Sequence, residues 1–151
     1  DFTIFEVSKI NGNTNSIFSY NKLGVSGIYF GTNTRHLYAT VNDGSENITT
    51  RTNVDNRSTN HIGVFKKNGK RIDLEYYDSD NSILTDFTNL SFDNTKTFNF
   101  YTFNIGSFDT GAVNDSLLNG NISEVIVYNR ALSESEISDV KGYLNLKYKI
   151  Y

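Results

Sequence analysis

Short runs of aromatic and β-branched residues, each closed by an Asn-, Asp- or Gly-rich break, recur from Phe2 to Asn129. Branched and aromatic side chains pack well on a pleated, half-buried surface. The breaks supply residues that accept tight-turn backbone. Many short strands in succession predict an all-β sandwich or barrel. Phe2-Thr3-Ile4-Phe5-Glu6-Val7 is apolar on both faces and predicts a central strand. Ser16 to Tyr20 and Gly27 to Phe30 are two further short strands, and Ile48 to Thr52 is a more polar one. His36 to Val41 alternates with period two, which places Leu37, Ala39 and Val41 on one face. Asn60 to Lys66 and Arg71 to Tyr77 flank Lys67-Asn68-Gly69-Lys70. Asn-Gly between strand-like runs predicts a hairpin, with Gly69 at positive φ. Asp78 to Ser82 reads as a polar loop, and Thr97 to Ile105 as another strand ending at Gly106. Ile122 to Asn129 is the last strand, with Val125 and Val127 on one face and Ile122, Glu124, Ile126 and Tyr128 on the other.

The period then changes. Ser133-Glu134-Ser135-Glu136 is a capping box, in which Ser133 and Glu136 satisfy each other's backbone N–H groups. Ile137, Val140 and Leu144 follow at helical spacing. Acidic residues lead and Lys147 comes late, as the helix dipole favours. Gly142 inside this helix suits a close approach to a sheet, and Tyr148 to Tyr151 reads as a strand or extended tail. The fold class expected is therefore all-β, a two-sheet antiparallel sandwich with one short C-terminal helix.

Residues 1–151 show no internal repeat, linker or low-complexity tract and read as one domain. A chain of this length buries enough surface to need no staple, and it has no Cys to supply one. No apolar run approaches the roughly 20 residues of a membrane-spanning helix, so membrane insertion is not expected. Net charge is −3, and the one basic cluster, Lys66, Lys67, Lys70 and Arg71, flanks a hairpin tip. A nucleic-acid partner would call for a basic stripe, so nucleic acid is not expected.

Catalytic constellations are missing. Retaining glycosidases need two carboxyl groups about 5 Å apart on one strand face. Asp73-Leu74-Glu75 offers two on one face but no third acid further along the strand. His36 and His61 have no G-x-S-x-G partner and no Cys, so neither a nucleophilic triad nor a zinc site is formed, and both read as strand or surface residues. The chain is not expected to be an enzyme.

The closing third carries a resemblance. Gly120-Asn121-Ile122-Ser123-Glu124-Val125-Ile126-Val127-Tyr128-Asn129-Arg130-Ala131-Leu132-Ser133 resembles the end of concanavalin A-like, laminin G-type jelly rolls. There, G-x-I-x-E-V-x-x-Y-N-R-x-L-S precedes a short helix, and Glu136, Ile137, Tyr143-Leu144 and Lys147-Tyr148 fall in the matching places. Upstream, Asp1 to Val7 is similar to the D-F-T-I-F strand, Asn60 to Val64 to a strand with an early His, and Asn104-Ile105-Gly106 to an I-G-G strand. Ile72 to Tyr77 stands where the family carries L-Y-V-N-G, without the Asn-Gly. The resemblance implies a jelly roll with non-catalytic recognition as its task. It also implies strands ahead of Asp1, hence a longer polypeptide or a neighbouring subunit covering Phe2, Phe5 and Val127.

Site residues follow from that implied role. Sugar binding uses planar aromatics with amides and carboxylates beside them, and Tyr38, Tyr76, Tyr77 and Asn114 are the candidates. Each tyrosine also reads as a packing residue. In calcium-binding relatives the rim loops hold the ion, and hard cations need clustered oxygens. Asp78 and Asp80 form one such cluster, Asp109 and Asp115 another, with ordinary polar turns as the alternative. The expected partner is a glycan or surface polysaccharide, with Ca²⁺ as a candidate cofactor. The expected setting is a secreted, cell-surface or virion protein, and the alternative is a structural decoration or interaction domain of a phage or viral particle.

Overall fold

A computed structural model describes residues 1–11, 14–20, 27–33, 36–42, 46–53, 59–79, 83–90, 103–107 and 117–151. The opening strand β1 (Phe2–Ile10) is paired on both sides, with β6 (His61–Asn68) and with β10 (Gly120–Tyr128), all antiparallel. With β7 (Arg71–Asp78) and β8 (Ile83–Asn89) they make a five-stranded sheet A, ordered β10-β1-β6-β7-β8. Sheet B has the order β5-β4-β3-β2-β9, from β2 (Thr14–Tyr20), β3 (Gly27–Asn33), β4 (His36–Asn42), β5 (Asn47–Asn53) and β9 (Phe103–Ile105). The fold is thus the two-sheet antiparallel sandwich expected, with one helix, α1 (Glu134–Tyr148).

Alternation along β1 explains the layering. Ile4 and Ile10 enter the core between the sheets, with Phe18, Phe30, Leu37, Ala39, Val41, Phe65 and Leu74. Phe5 and Val7 point the other way and, with Ile62, Val64 and Tyr77, meet Ile137 and Leu144 of α1 in a second core. Val140 is partly buried against the same cluster. Burying Ile137 and Leu144 completely contributes about 1.5–3 kcal/mol each. Phe5 is therefore covered by this chain's own helix and Phe2 by the first core, contrary to the expected exposure. Val127 is 50% exposed on β10, which stands at the edge of sheet A.

The helix is docked at both ends. Thr3 Oγ1 donates to the Arg130 carbonyl at 3.0 Å and accepts from the Leu132 N–H at 2.9 Å, pinning the connection between β10 and α1 onto β1. The capping box forms as expected: Ser133 Oγ accepts from the Glu136 N–H, and the Ser133 N–H donates to Glu136 Oε2. Arg130 adds two hydrogen bonds to the Glu136 carboxylate, at 2.6 and 2.9 Å. Arg130 and the Ser133 donors hold that carboxyl down at about 2, from an ordinary 4.5. At the far end Lys149 turns left-handed, and Asn145 Oδ1 accepts from the Ile150 and Tyr151 N–H groups. The tail is therefore a cap that returns Ile150 to the second core, not a strand.

Four other local expectations shift. Asn68 pairs with Arg71, so the hairpin loop is Gly69-Lys70, one residue later than an Asn-Gly turn. Gly69 has φ 57°, and Lys70 is not at positive φ, the pattern of a type II′ turn. In β10, Val7 faces Glu124 and Ser8 faces Ile122, leaving Ser123 as a bulge. The extra residue turns Ile122 to the same core as Val125, while Ile126 and Tyr128 face the helix. β8 was unanticipated: an edge strand, Ile83–Asn89, follows what read as a loop. Of the expected Thr97–Ile105 strand, only 103–105 lies within the described residues.

Gly142 is the last shift. A Cβ there would meet nothing within 4 Å, so no close approach requires the glycine. Gly142→Ala is predicted to raise stability by about 1 kcal/mol through helix propensity, and Ser133→Ala to cost about 0.5–2 kcal/mol, both read from urea unfolding. Glu136 contributes stability that is complete above its unfolded value of 4.5 and is lost as pH falls through about 2. The stability gap between the wild type and Glu136→Gln is therefore predicted to close across that window in acid unfolding titrations.

Candidate functional site

The outer face of sheet B is left without an α1 cover, because the helix packs on sheet A. Leu37, Ala39 and Val41 point inward, so His36, Tyr38, Thr40 and Asn42 point out. Arg51 stands opposite Tyr38 on β5 and Gly31 opposite it on β3. Gly31 presents no side chain there, and Tyr29 leans across to stack on Tyr38, ring centroids 4.9 Å apart and 17° from parallel. Tyr29 is nearly buried and supports Tyr38, which is half-buried; Arg51 is exposed. Burial pushes the Tyr38 phenol up, while a hydrogen bond to Tyr29 acts against that shift. Tyr38 is thus a neutral hydroxyl near neutral pH.

Hydrogen-bonding groups surround the pair. Thr40 and Thr49 share a hydrogen bond of 2.9 Å. At the other side of the sheet, Asn104 Nδ2 donates to Ser19 Oγ at 3.4 Å, and Ser19 Oγ donates to the Ser107 carbonyl at 3.0 Å. This face therefore offers the half-buried Tyr38 backed by Tyr29, exposed Arg51 and Thr49, and partly exposed Thr40 and Asn104, while Ser19 is buried. Such a surface suits a hydroxyl-rich ligand.

The other expected residues are dispersed. Tyr76 is 1% exposed in the inter-sheet core and has no free ring face, so it leaves the candidate set. Tyr77 is occupied by α1: Lys141 Nζ lies 3.9 Å from its ring centroid, and its hydroxyl bonds Glu75 and Lys141. Asp78 is 2% exposed at the inner end of β7, bonded to Tyr76 rather than open at a rim. Asp80, Asp109, Asn114 and Asp115 lie outside the described residues. Among the described residues no three His, Asp or Glu are grouped to hold a metal ion. Asp73 and Glu75 do share the outer face of sheet A, but Asp73 is paired with Arg71 and Glu75 with Lys141.

Sequence reasoning missed a buried polar pair. Glu6 is fully buried, and its Oε1 lies 3.0 Å from His61 Nε2, which also contacts Ser8 Oγ at 3.2 Å. The room for this carboxylate comes from Gly63, where a Cβ would fall 2.4 Å from Glu6 Oε1. The His61 ring lies tilted against Tyr76, with centroids 4.8 Å apart and planes 33° from parallel. The available signal was Glu6 itself, one acid inside an apolar run, paired across β1 and β6 with a glycine. The arrangement is structural, since no open surface reaches it. Removing one partner leaves the other's buried polar atoms without a neighbour, at a cost of about 1–3 kcal/mol, or more for a charged group. His61→Leu is therefore predicted to destabilise strongly and the double variant Glu6→Leu, His61→Leu much less, measured by denaturant unfolding.

The sequence matches no protein-family profile and no curated protein. Solved structures do match. A carbohydrate-binding module, CBM40, of the Ruminococcus gnavus IT-sialidase superposes with a TM-score of 0.73 at 16% identity, covering 92% of this chain and 81% of that one. The same module bound to α2,3-sialyllactose gives 0.72 at 17% identity, covering 92% and 81%. The receptor-binding domain of botulinum neurotoxin mosaic serotype C/D gives 0.70 at 11%, covering 94% of this chain and 36% of that one. Domains LG4-5 of the mouse laminin α1 chain give 0.55 at 15%, covering 87% and 38%. The chain shares the two-sheet jelly-roll fold of these structures.

Proposed function

We propose that the chain is a non-catalytic glycan-recognition module that binds through the outer face of sheet B. The observation that carries the reading is the Tyr29–Tyr38 stack flanked by exposed Arg51 on a face that α1 leaves open. Tyr38 offers an aromatic surface and a neutral hydroxyl; Thr40, Thr49 and Asn104 offer further hydroxyl and amide contacts. Arg51 favours a sugar bearing a carboxylate, because a guanidinium pairs with a carboxylate through two parallel hydrogen bonds. Sialylated glycans are the first ligand class to test, and the structural likeness to a module solved with sialyllactose supports that choice. An extracellular, cell-surface or virion setting accords with such a ligand, and so does membership of a longer polypeptide. Calcium enters as a proposal through Asp80, Asp109 and Asp115.

The test is a glycan array probed with and without calcium, using wild type, Tyr38→Ala and Arg51→Ala. Arg51→Ala is predicted to weaken sialylated ligands by roughly 10- to 100-fold, the size of a lost charged hydrogen-bond pair. Tyr38→Ala is predicted to weaken acidic and neutral ligands alike. Full retention of binding in both folded variants would remove this face as the site.

A further inference from the structure

The outer face of sheet A is divided in two. In β6 it begins with Ile62 and Val64 under the helix and continues with Lys66 and Asn68 beyond it. In β7 it begins with Tyr77 under the helix and continues with Glu75, Asp73 and Arg71. The uncovered half forms a groove of about 390 Å³, closed on one side by Glu134 at the start of α1 and on the other by Thr85 and Phe87 of β8.

We infer that this groove is a second saccharide site, for a neutral sugar ring, facing away from the sheet B site. Three of its four carboxylates carry a cationic partner, and the fourth is held by neutral donors. Lys66 Nζ lies 2.6 Å from Glu134, Arg71 Nε 2.6 Å from Asp73, and Lys141 Nζ 3.3 Å from Glu75. Asp86, at the inner margin, accepts from the Thr50 hydroxyl at 2.8 Å and the Arg51 N–H at 3.1 Å. An anion would meet the negative charge left on Asp86, and a cation would compete with Lys66, Arg71 and Lys141 for their carboxylates. A neutral polyol does neither: it can donate to fixed carboxylate oxygens and accept from Asn68, Arg71 and Lys66 without altering the net charge. Phe87 supplies the apolar element. It is 56% exposed, and the Arg71 guanidinium, 4.2 Å from its centroid, fixes the ring beside the groove. The groove's volume falls within the range of ligand sites, and its lining is mainly polar, with Leu74 and Phe87 as its apolar members. The two sites lie on opposite outer faces of the sandwich, so one module would hold two glycan chains at once.

The inference rests on saccharide recognition as the chain's task, and residue-resolved NMR separates the two sites. The uniformly ¹⁵N-labelled chain is titrated with methyl glycosides of glucose, galactose and mannose. Saturable amide shifts at Asn68, Asp73, Thr85 and Phe87 are expected with at least one of them. They should be unchanged in Tyr38→Ala and weakened at least roughly tenfold in Phe87→Ala. Thr85→Lys, which fills the groove from an exposed edge-strand position, should abolish them and serves if Phe87→Ala does not fold. No saturable shift at these amides with any of the three sugars would overturn the second site. So would shifts that persist in Thr85→Lys. Shifts confined to Tyr38, Thr40 and Arg51 would uphold the sheet B site while overturning this one.

Discussion

Burial of β1 on both of its faces is the constraint on which the rest depends. One set of alternating side chains, Ile4 and Ile10, holds the two sheets together, and the other, Phe5 and Val7, requires a lid. That lid is α1, and it docks through the same strand, because Thr3 holds the peptide groups around Arg130 and Leu132. A strand apolar on only one face would leave the helix without a surface to cover. The central position of β1 then follows, since a strand buried on both faces is best placed between two hydrogen-bonded neighbours.

The helix also decides which surfaces remain for recognition. Its short length covers only the apolar half of the outer face of sheet A, and the charged half beyond Val64 stays open. Among the described residues sheet B receives no helix, and the outward residues of β4 are the hydroxyls, amides and tyrosine that alternate with Leu37, Ala39 and Val41. The proposed recognition face and the core thus occupy opposite sides of the same strands. Gly31, opposite Tyr38 on β3, carries no side chain beside the Tyr29–Tyr38 stack.

Much of this was legible in the residues. Alternation placed the inner face of β4, the two-sided apolar run placed β1 at the centre, and the capping box located the helix start. What escaped had local physical causes. The Ser123 bulge reverses the faces of β10, and no residue type announces a bulge. β8 hides because Asp86 stands at one of its inward positions, where Thr50 and Arg51 on β5 satisfy it across the sandwich. Tyr38 was identified as a candidate from the sequence, but its partners Tyr29 and Arg51 come from neighbouring strands and depend on register. Tyr76 and Tyr77 are adjacent and chemically alike, yet strand alternation sends one into the inter-sheet core and the other beneath the helix.

Glycan recognition by the sheet B face is the central claim, and a crystal structure of the chain soaked with α2,3-sialyllactose tests it most directly. The expected result is a sugar ring against Tyr38 with its carboxylate on the Arg51 guanidinium. A sialyllactose bound elsewhere on the sandwich, with Tyr38 and Arg51 open to solvent and untouched, would contradict it.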